Sequence, residues 1–250
     1  MILFYRVLTH LIYPFLFVIV FLRVFLKKED PKRYKEKILI SHFNVKRNYE
    51  QKLIWFHAAS IGEVQSIIPL MNKFYSSYNN LNFLITTSTI SSGKIVKKQI
   101  KDLDRVNHKY LPLDISFLAN AFLNNWSPSL AVFVDSEIWP NFLSNIKKRN
   151  IPLILVNGRI TPKTYKKWKM VNFFSKRIFK LFDLCLPCSE ESLNYLVGLK
   201  ANNVKYFGNL KYSVEIKSEK LNEHNLSILK KKKVWCAAST HQNEEEFCLE

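Results

Sequence analysis

Apolar positions run almost without a break from Leu11 to Leu26, and polar punctuation begins only after them. Extended back to Met1, the stretch is just long enough to cross about 30 Å of hydrocarbon. Arg6, His10, Pro14 and Arg23 interrupt it. Both arginines can snorkel toward an interface, which suits a shallow or tilted anchor. No small-residue cleavage site follows, so the segment reads as retained rather than as a removed leader. Residues 1–28 are therefore expected to form an anchor helix, with a buried core helix as the plain alternative.

From Leu53 onward the pattern changes to short apolar runs separated by amphipathic stretches. Runs at 53–57, 83–87, 108–111, 130–134, 153–156, 184–186 and 204–207 read as strands. Helix-spaced apolar residues fall at Val64, Ile67, Ile68, Met71 and Phe74, and further helices are expected near 91–100, 115–124, 140–149, 162–181 and 190–197. Regular alternation of this kind means parallel βαβ units in an α/β, Rossmann-like doubly wound sheet with helices on both faces. Residues 29–210 make that domain, and the polar stretch 211–232 breaks the rhythm as a linker. At 233–239 the pattern restarts with what reads as a first strand. A strand with nothing after it cannot bury its own faces, so 233–250 is expected to be the start of a second α/β domain cut short.

Composition adds a sign. The 250 residues carry 38 Lys and Arg against 20 Asp and Glu, a formal charge of +18. The partner is expected to be anionic: nucleic acid, an acidic membrane surface or a phosphorylated substrate. Lys27, Lys28, Lys32, Arg33, Lys35 and Lys37 form a collar behind the anchor, which keeps the body cytoplasmic and favours anionic headgroups. No nucleic-acid reader motif accompanies the charge, and steep salt-dependent binding to DNA or RNA would be the mark of that reading. Cys185 and Cys188 form a C-x-x-C, but within an apolar, strand-like run that points to burial rather than to redox or zinc chemistry. The six histidines show no paired ligand spacing, and no Gly-rich phosphate loop is present, so neither a metal nor a cofactor is implied.

In such sheets ligands bind beyond the carboxyl ends of strands. The first tip holds Ser60, Gly62 and Glu63. Ser60-x-x-Glu63 is a complete capping box, and spacing alone leaves Glu63 either a cap or a carboxylate that accepts a proton from a hydroxyl. Gly62 would let a substrate approach closely. The second tip carries Asp135, Glu137, Trp139, Pro140 and Asn141; each carboxylate can equally be a cap, and Trp139 an ordinary core aromatic. Arg159 follows a third strand, where it can clamp a phosphate or carboxylate or simply be solvated. Ser239, Thr240 and His241 precede the last acidic run, at a helix start suited to anions or to capping alone.

Together these stretches resemble one family, the Kdo (3-deoxy-manno-octulosonic acid) transferases of lipopolysaccharide synthesis. The resemblance rests on 31–37 (PKRYKEK), 57–64 (HAASIGEV), 86–89 (TTST), 110–114 (YLPLD), 135–141 (DSEIWPN), 157–159 (NGR), 208–212 (GNLKY) and 238–245 (ASTHQNEE), in family order. It implies a GT-B-type transferase with an N-terminal acceptor domain and a C-terminal donor domain. Such an enzyme moves Kdo from CMP-Kdo to the lipid A precursor, lipid IVA, with inversion and without metal, at the cytoplasmic face of the inner membrane. On the same resemblance Glu63 is the general base, with Glu137 and Asp135 as second contributors. The substrate contacts it implies are Ser60, Gly62, Trp139, Asn141, Arg159, Ser239, Thr240 and His241. The family usually has Glu where this chain has Asp135, which leaves the roles of Asp135 and Glu137 open. The chain is shorter than the family pattern, so on its own it is expected to be inactive. Other readings are a membrane-bound half-molecule that binds acidic lipid or a partner, and a transferase for another sugar.

Overall fold

The computed structural model of the chain describes residues 2–43, 45 and 49–213, with the isolated positions 230 and 246. The chain divides into two compact units, Met1–Val214 and Glu215–Glu250. Ser239, Thr240, His241 and the expected strand at 233–239 lie outside the described residues.

Within the first unit, β1 (Lys52–His57), β2 (Leu81–Thr87), β3 (Val106–Tyr110), β4 (Leu130–Val134), β5 (Leu153–Gly158) and β6 (Leu184–Pro187) form one sheet. Every pairing is parallel, and the order is β3-β2-β1-β4-β5-β6. The helices are α1 (Ile2–Phe25), α2 (Ile61–Ser77), α3 (Ile90–Gln99), α4 (Ser116–Trp126), α5 (Pro140–Lys148), α6 (Pro162–Met170), α7 (Asn172–Phe179) and α8 (Glu190–Gly198). This is the doubly wound class that the alternation predicts, and its strand order reverses between β1 and β4.

The period of two along β1 explains the two layers of core. Leu53 and Trp55 face one side, where they meet Phe122 of α4, Phe142 of α5 and Phe179 of α7 in one cluster. Ile54 and Phe56 face the other side, with Val64, Ile67 and Met71 of α2 and Val96 of α3. The Trp55 ring lies 5.2 Å from Phe122 and Phe133 and 5.8 Å from Phe142, so one aromatic joins β1, β4, α4 and α5. Cys185 is buried and unpaired, and burial pushes its thiol up to about 12, as inert core chemistry requires.

Two expected elements differ. The helix expected over 162–181 breaks at Val171, whose φ of −107° and ψ of 42° start α7 in a new direction. The break leaves Met170 and Phe173 exposed while Phe179 still reaches the core. The strand expected at 204–207 shrinks to a single bridge, Cys185 with Val204. Asn203 turns left-handed just before it, at φ 46°, and Phe207 beyond it is exposed, so no ladder forms.

α1 has the length and composition of a membrane-crossing helix, yet a stripe along it packs on the body. The Tyr5 hydroxyl donates to Asp114 Oδ2 at 3.0 Å, and Asn141 Nδ2 to Thr9 Oγ1 at 3.2 Å. Tyr13 donates to the Ile38 carbonyl at 2.7 Å. Asp114 is the centre of this junction, since it also accepts the N–H groups of Asn141 (3.1 Å) and Phe142 (2.9 Å) at the start of α5. A side chain from the loop after β3 thus caps a helix that opens on proline.

Burial pushes the Asp114 carboxyl from its ordinary 3.8 to about 6, against the pull of the three donors. The native state therefore holds this proton to higher pH than the unfolded chain does. Its contribution to stability is complete below the unfolded value and is lost as pH rises through about 6. Relative to Asp114→Asn, the wild-type chain is expected to lose about 2 kcal/mol of unfolding free energy between about pH 4 and about pH 7, as read by urea unfolding in detergent micelles. A difference that stays flat across that window would contradict the assignment.

Candidate functional site

The reversal of strand order opens a crevice at the carboxyl ends of β1 and β4, where connections leave toward opposite faces of the sheet. β1 ends at His57, and the chain then turns through Ala58 and Ala59 into α2. Ser60 caps α2, its hydroxyl oxygen accepting the Glu63 N–H at 3.4 Å. The Glu63 carboxylate returns the contact: Oε1 accepts the Ser60 hydroxyl at 2.7 Å and Oε2 the Ala59 N–H at 2.8 Å. The capping geometry read from the spacing is present, with Ala59 rather than Ser60 supplying the backbone donor. Each carboxylate oxygen keeps a lone pair beyond those contacts.

Burial, the largest influence, pushes Glu63 above the ordinary carboxylate range. The bonds from Ser60 and Ala59 pull it down, while the charges of Glu137 and Asp135 push it up. A carboxylate with a raised pKa is a better proton acceptor than a surface one. Beside it, a Cβ built at Gly62 meets no protein atom within 4 Å. Neither packing nor a left-handed backbone calls for glycine here, and the space in front of it is open.

The β4 tip supplies the opposing wall. Asp135 is left-handed at φ 59°, a conformation that Asp tolerates, and this swings the next residues over the sheet edge. Lys211 Nζ lies 3.6 Å from its Oδ2. Burial raises its pKa, and Lys211 and Arg159 oppose that rise. Glu137 Oε2 accepts two donors, His57 Nε2 at 3.1 Å and Trp139 Nε1 at 2.8 Å. Burial alone would push Glu137 up, but the bonds and charge of His57 and the Trp139 bond outweigh it and hold the group below its ordinary value. Glu137 is thus held as an anion, while Glu63 keeps its proton to higher pH than an ordinary carboxyl.

His57 is the functional residue that sequence reasoning missed. It is fully buried, and its Nδ1 sits 3.0 Å from Thr86 Oγ1, which also accepts the Trp55 indole N–H at 2.8 Å. A line of contacts from Trp55 through Thr86 and His57 therefore sets the position of Glu137. Its signal in the sequence was a polar residue closing an otherwise apolar strand, on the same face as Trp55.

Of the other expected site residues, Ser60, Gly62, Glu63, Asp135, Glu137 and Trp139 gather at the two tips. Arg159 follows β5; it is exposed, its N–H bonds the Asp135 carbonyl at 3.2 Å, and among the described residues its guanidinium forms no hydrogen bond or ion pair. Asn141 is placed differently: it is fully buried, its Nδ2 donating to the Asp114 carbonyl at 2.6 Å and to Thr9 of α1. Asn157, the last but one residue of β5, is left-handed at φ 54° and accepts the Leu210 N–H at 3.0 Å, which holds the segment carrying Lys211 beside Asp135. Among the described residues no three His, Cys, Asp or Glu side chains cluster as a metal ion would require.

Known proteins resemble this chain in fold and in sequence. A putative UDP-N-acetylglucosamine 2-epimerase from Listeria monocytogenes shares the fold, with a TM-score of 0.50 at 11% identity over 71% of this chain and 52% of that one. A 3-deoxy-D-manno-octulosonic acid transferase of Rickettsia bellii is 36% identical over 98% of this chain and 58% of its own length. One from Rickettsia typhi is 30% identical over the whole chain and 63% of its length. The chain therefore spans about three-fifths of the curated relatives it matches. The family described as 3-Deoxy-D-manno-octulosonic-acid transferase (kdotransferase) matches residues 32–214, and the chain belongs to that family.

Proposed function

We propose that this chain is the acceptor-binding half of a glycosyltransferase that moves Kdo from CMP-Kdo onto lipid IVA at the cytoplasmic face of the bacterial inner membrane. The observation that carries the reading is Glu63: a buried carboxylate with a raised pKa, beside open space at Gly62, in the crevice where strand order reverses. The apolar length of α1 and the basic collar behind it support a membrane-held acceptor.

In this reading an acceptor hydroxyl approaches over Gly62 and gives its proton to Glu63 as its oxygen bonds to the anomeric carbon of Kdo. The bond from that carbon to the CMP phosphate breaks, and CMP leaves with the electron pair. One displacement on the face opposite the leaving group inverts the anomeric centre, and no metal is needed to hold the acceptor. Glu137, fixed by His57 and Trp139, stays ionised and keeps Glu63 basic through its charge. Arg159, exposed near Asp135, offers a cation for an acceptor phosphate or the Kdo carboxylate. Nucleotide binding belongs to the donor half.

Transfer is to be assayed with this chain joined to a donor domain, as in its longer relatives. Glu63→Gln keeps the shape and removes the proton acceptor, so transfer is expected to fall by about 10²–10⁴-fold. Retention of more than a tenth of the activity would sink the role.

Gly62→Ala separates substrate space from folding. Thermal unfolding is expected to stay unchanged or to rise slightly, because Ala favours the helix by about 0.5–1 kcal/mol. Transfer should nevertheless drop at least tenfold, by the geometric argument of near-attack positioning. Equal loss of stability and activity would mean that Gly62 is structural.

The pH profile gives a third test. Glu63 must be ionised to act, and its pKa is raised in part by the charge of Glu137. In Glu137→Gln that push is gone, so the acid limb of kcat/KM should move to lower pH, on top of any loss of rate. An acid limb that stays put or moves up would show that the limb reports another group.

A further inference from the structure

α1 holds to the body along nearly its whole length. The side chains that face inward include Tyr5, Thr9, Tyr13, Leu16, Val20 and Val24, spaced three or four apart on one stripe, with Arg6 beside it and two of its guanidinium nitrogens buried. From Tyr5 to Val24 that stripe is about 29 Å long, nearly the full hydrocarbon thickness. A helix standing across the bilayer could not keep these contacts without drawing Asp114, Asn141 and the sheet into hydrocarbon. The opposite face is exposed and apolar, with Leu3, Phe4, Leu11, Phe15, Val18 and Leu22 among its members.

A second apolar surface lies beside the N-terminal half of α1. Where helix breaks at Val171, Met170 is 85% exposed and Phe173 58% exposed. The neighbouring Phe174 packs at a tilt against Tyr5 of α1, ring centres 5.9 Å apart, which places the break beside the helix. Residues 162–180 carry seven Lys or Arg and no Asp or Glu. Arg177 sits over the Phe173 ring at 4.4 Å, so a cation accompanies the exposed aromatic. Apolar tips ringed by cations complement a bilayer surface with anionic headgroups.

We propose that α1 lies in the plane of the membrane surface and does not span it, and that the α6–α7 tip, Met170 to Phe173, inserts beside it as a second contact. This rests on the membrane reading under the proposed function and adds orientation to it. Two contacts fix the rotation of the body about the helix, which a single flexible anchor leaves free.

The experiment uses the whole chain with vesicles of phosphatidylethanolamine and phosphatidylglycerol that contain a lipid with a photoreactive group at the end of its acyl chain. After photolysis, the labelled residues are mapped by mass spectrometry. Expected labels fall on the outward face of α1 and on Met170 to Phe173, with Tyr5, Tyr13 and Leu16 protected. The exposed pair Met170→Glu and Phe173→Glu should leave the fold intact, remove the tip label and weaken vesicle retention at high salt at least tenfold. Labels on every side of α1 with none on the tip would overturn the proposal and leave the membrane reading standing. Labels confined to the outward face of α1 would overturn the second contact. No lipid label anywhere would overturn both the proposal and the membrane reading.

Discussion

The hydrogen bond between His57 and Glu137 ties together the two strand ends on which the candidate site depends. β1 and β4 are neighbours in the sheet, but the chain leaves them toward opposite faces, which is what opens the crevice. A crevice between two tips has no rigidity of its own. Here a fully buried imidazole on β1, fixed by Thr86 of β2, reaches across to a carboxylate that follows β4. A buried charge with two good donors is well placed to stay ionised, whereas one left unpaired would shed its charge. Burial, with further pushes from the charges of Glu137 and Asp135, raises the pKa of Glu63 on α2. Two carboxylates in one crevice are thus shifted in opposite directions by burial and by their partners.

The second dependence runs through Asp114. One carboxylate joins the loop after β3, the first turn of α5 and the apolar helix α1. The same helix start that α5 needs capped lies directly after the Glu137 and Trp139 stretch, so the seat of α1 and the site geometry share a support. Asn141 belongs to this support: its buried amide spans Asp114 and Thr9.

Much of this was legible in the sequence, for physical reasons that differ by element. Continuous apolar runs gave the buried parallel strands, because both of their faces are covered. Ser60 and Glu63 announced a helix start by spacing, although spacing could not say that the second carboxylate oxygen would take the Ala59 N–H. Asp135 and Glu137 were visible as an unusual pair, but their division of labour was not, since it is set by His57 and Trp139 across 80 and two residues of chain. His57 looked like core because its neighbours are core. The break at Val171 and the failed strand at 204–207 depend on single left-handed or bridging residues, which hydrophobic period does not report. For α1, length and apolarity fit a span while Arg6 and Arg23 suit a shallow or tilted anchor, and the inward stripe of contacts was not legible.

The central claim is that an acceptor hydroxyl comes to Glu63 in the crevice between β1 and β4. The most direct test is a structure of this chain joined to its donor half, with lipid IVA and an unreactive CMP-Kdo analogue bound. The account predicts the acceptor hydroxyl within hydrogen-bond distance of the Glu63 carboxylate, over Gly62, with Glu137 still bonded to His57 and Trp139. An acceptor sugar seated elsewhere, with Glu63 bonded only to Ser60 and Ala59, would contradict it and return Glu63 to the role of a helix cap.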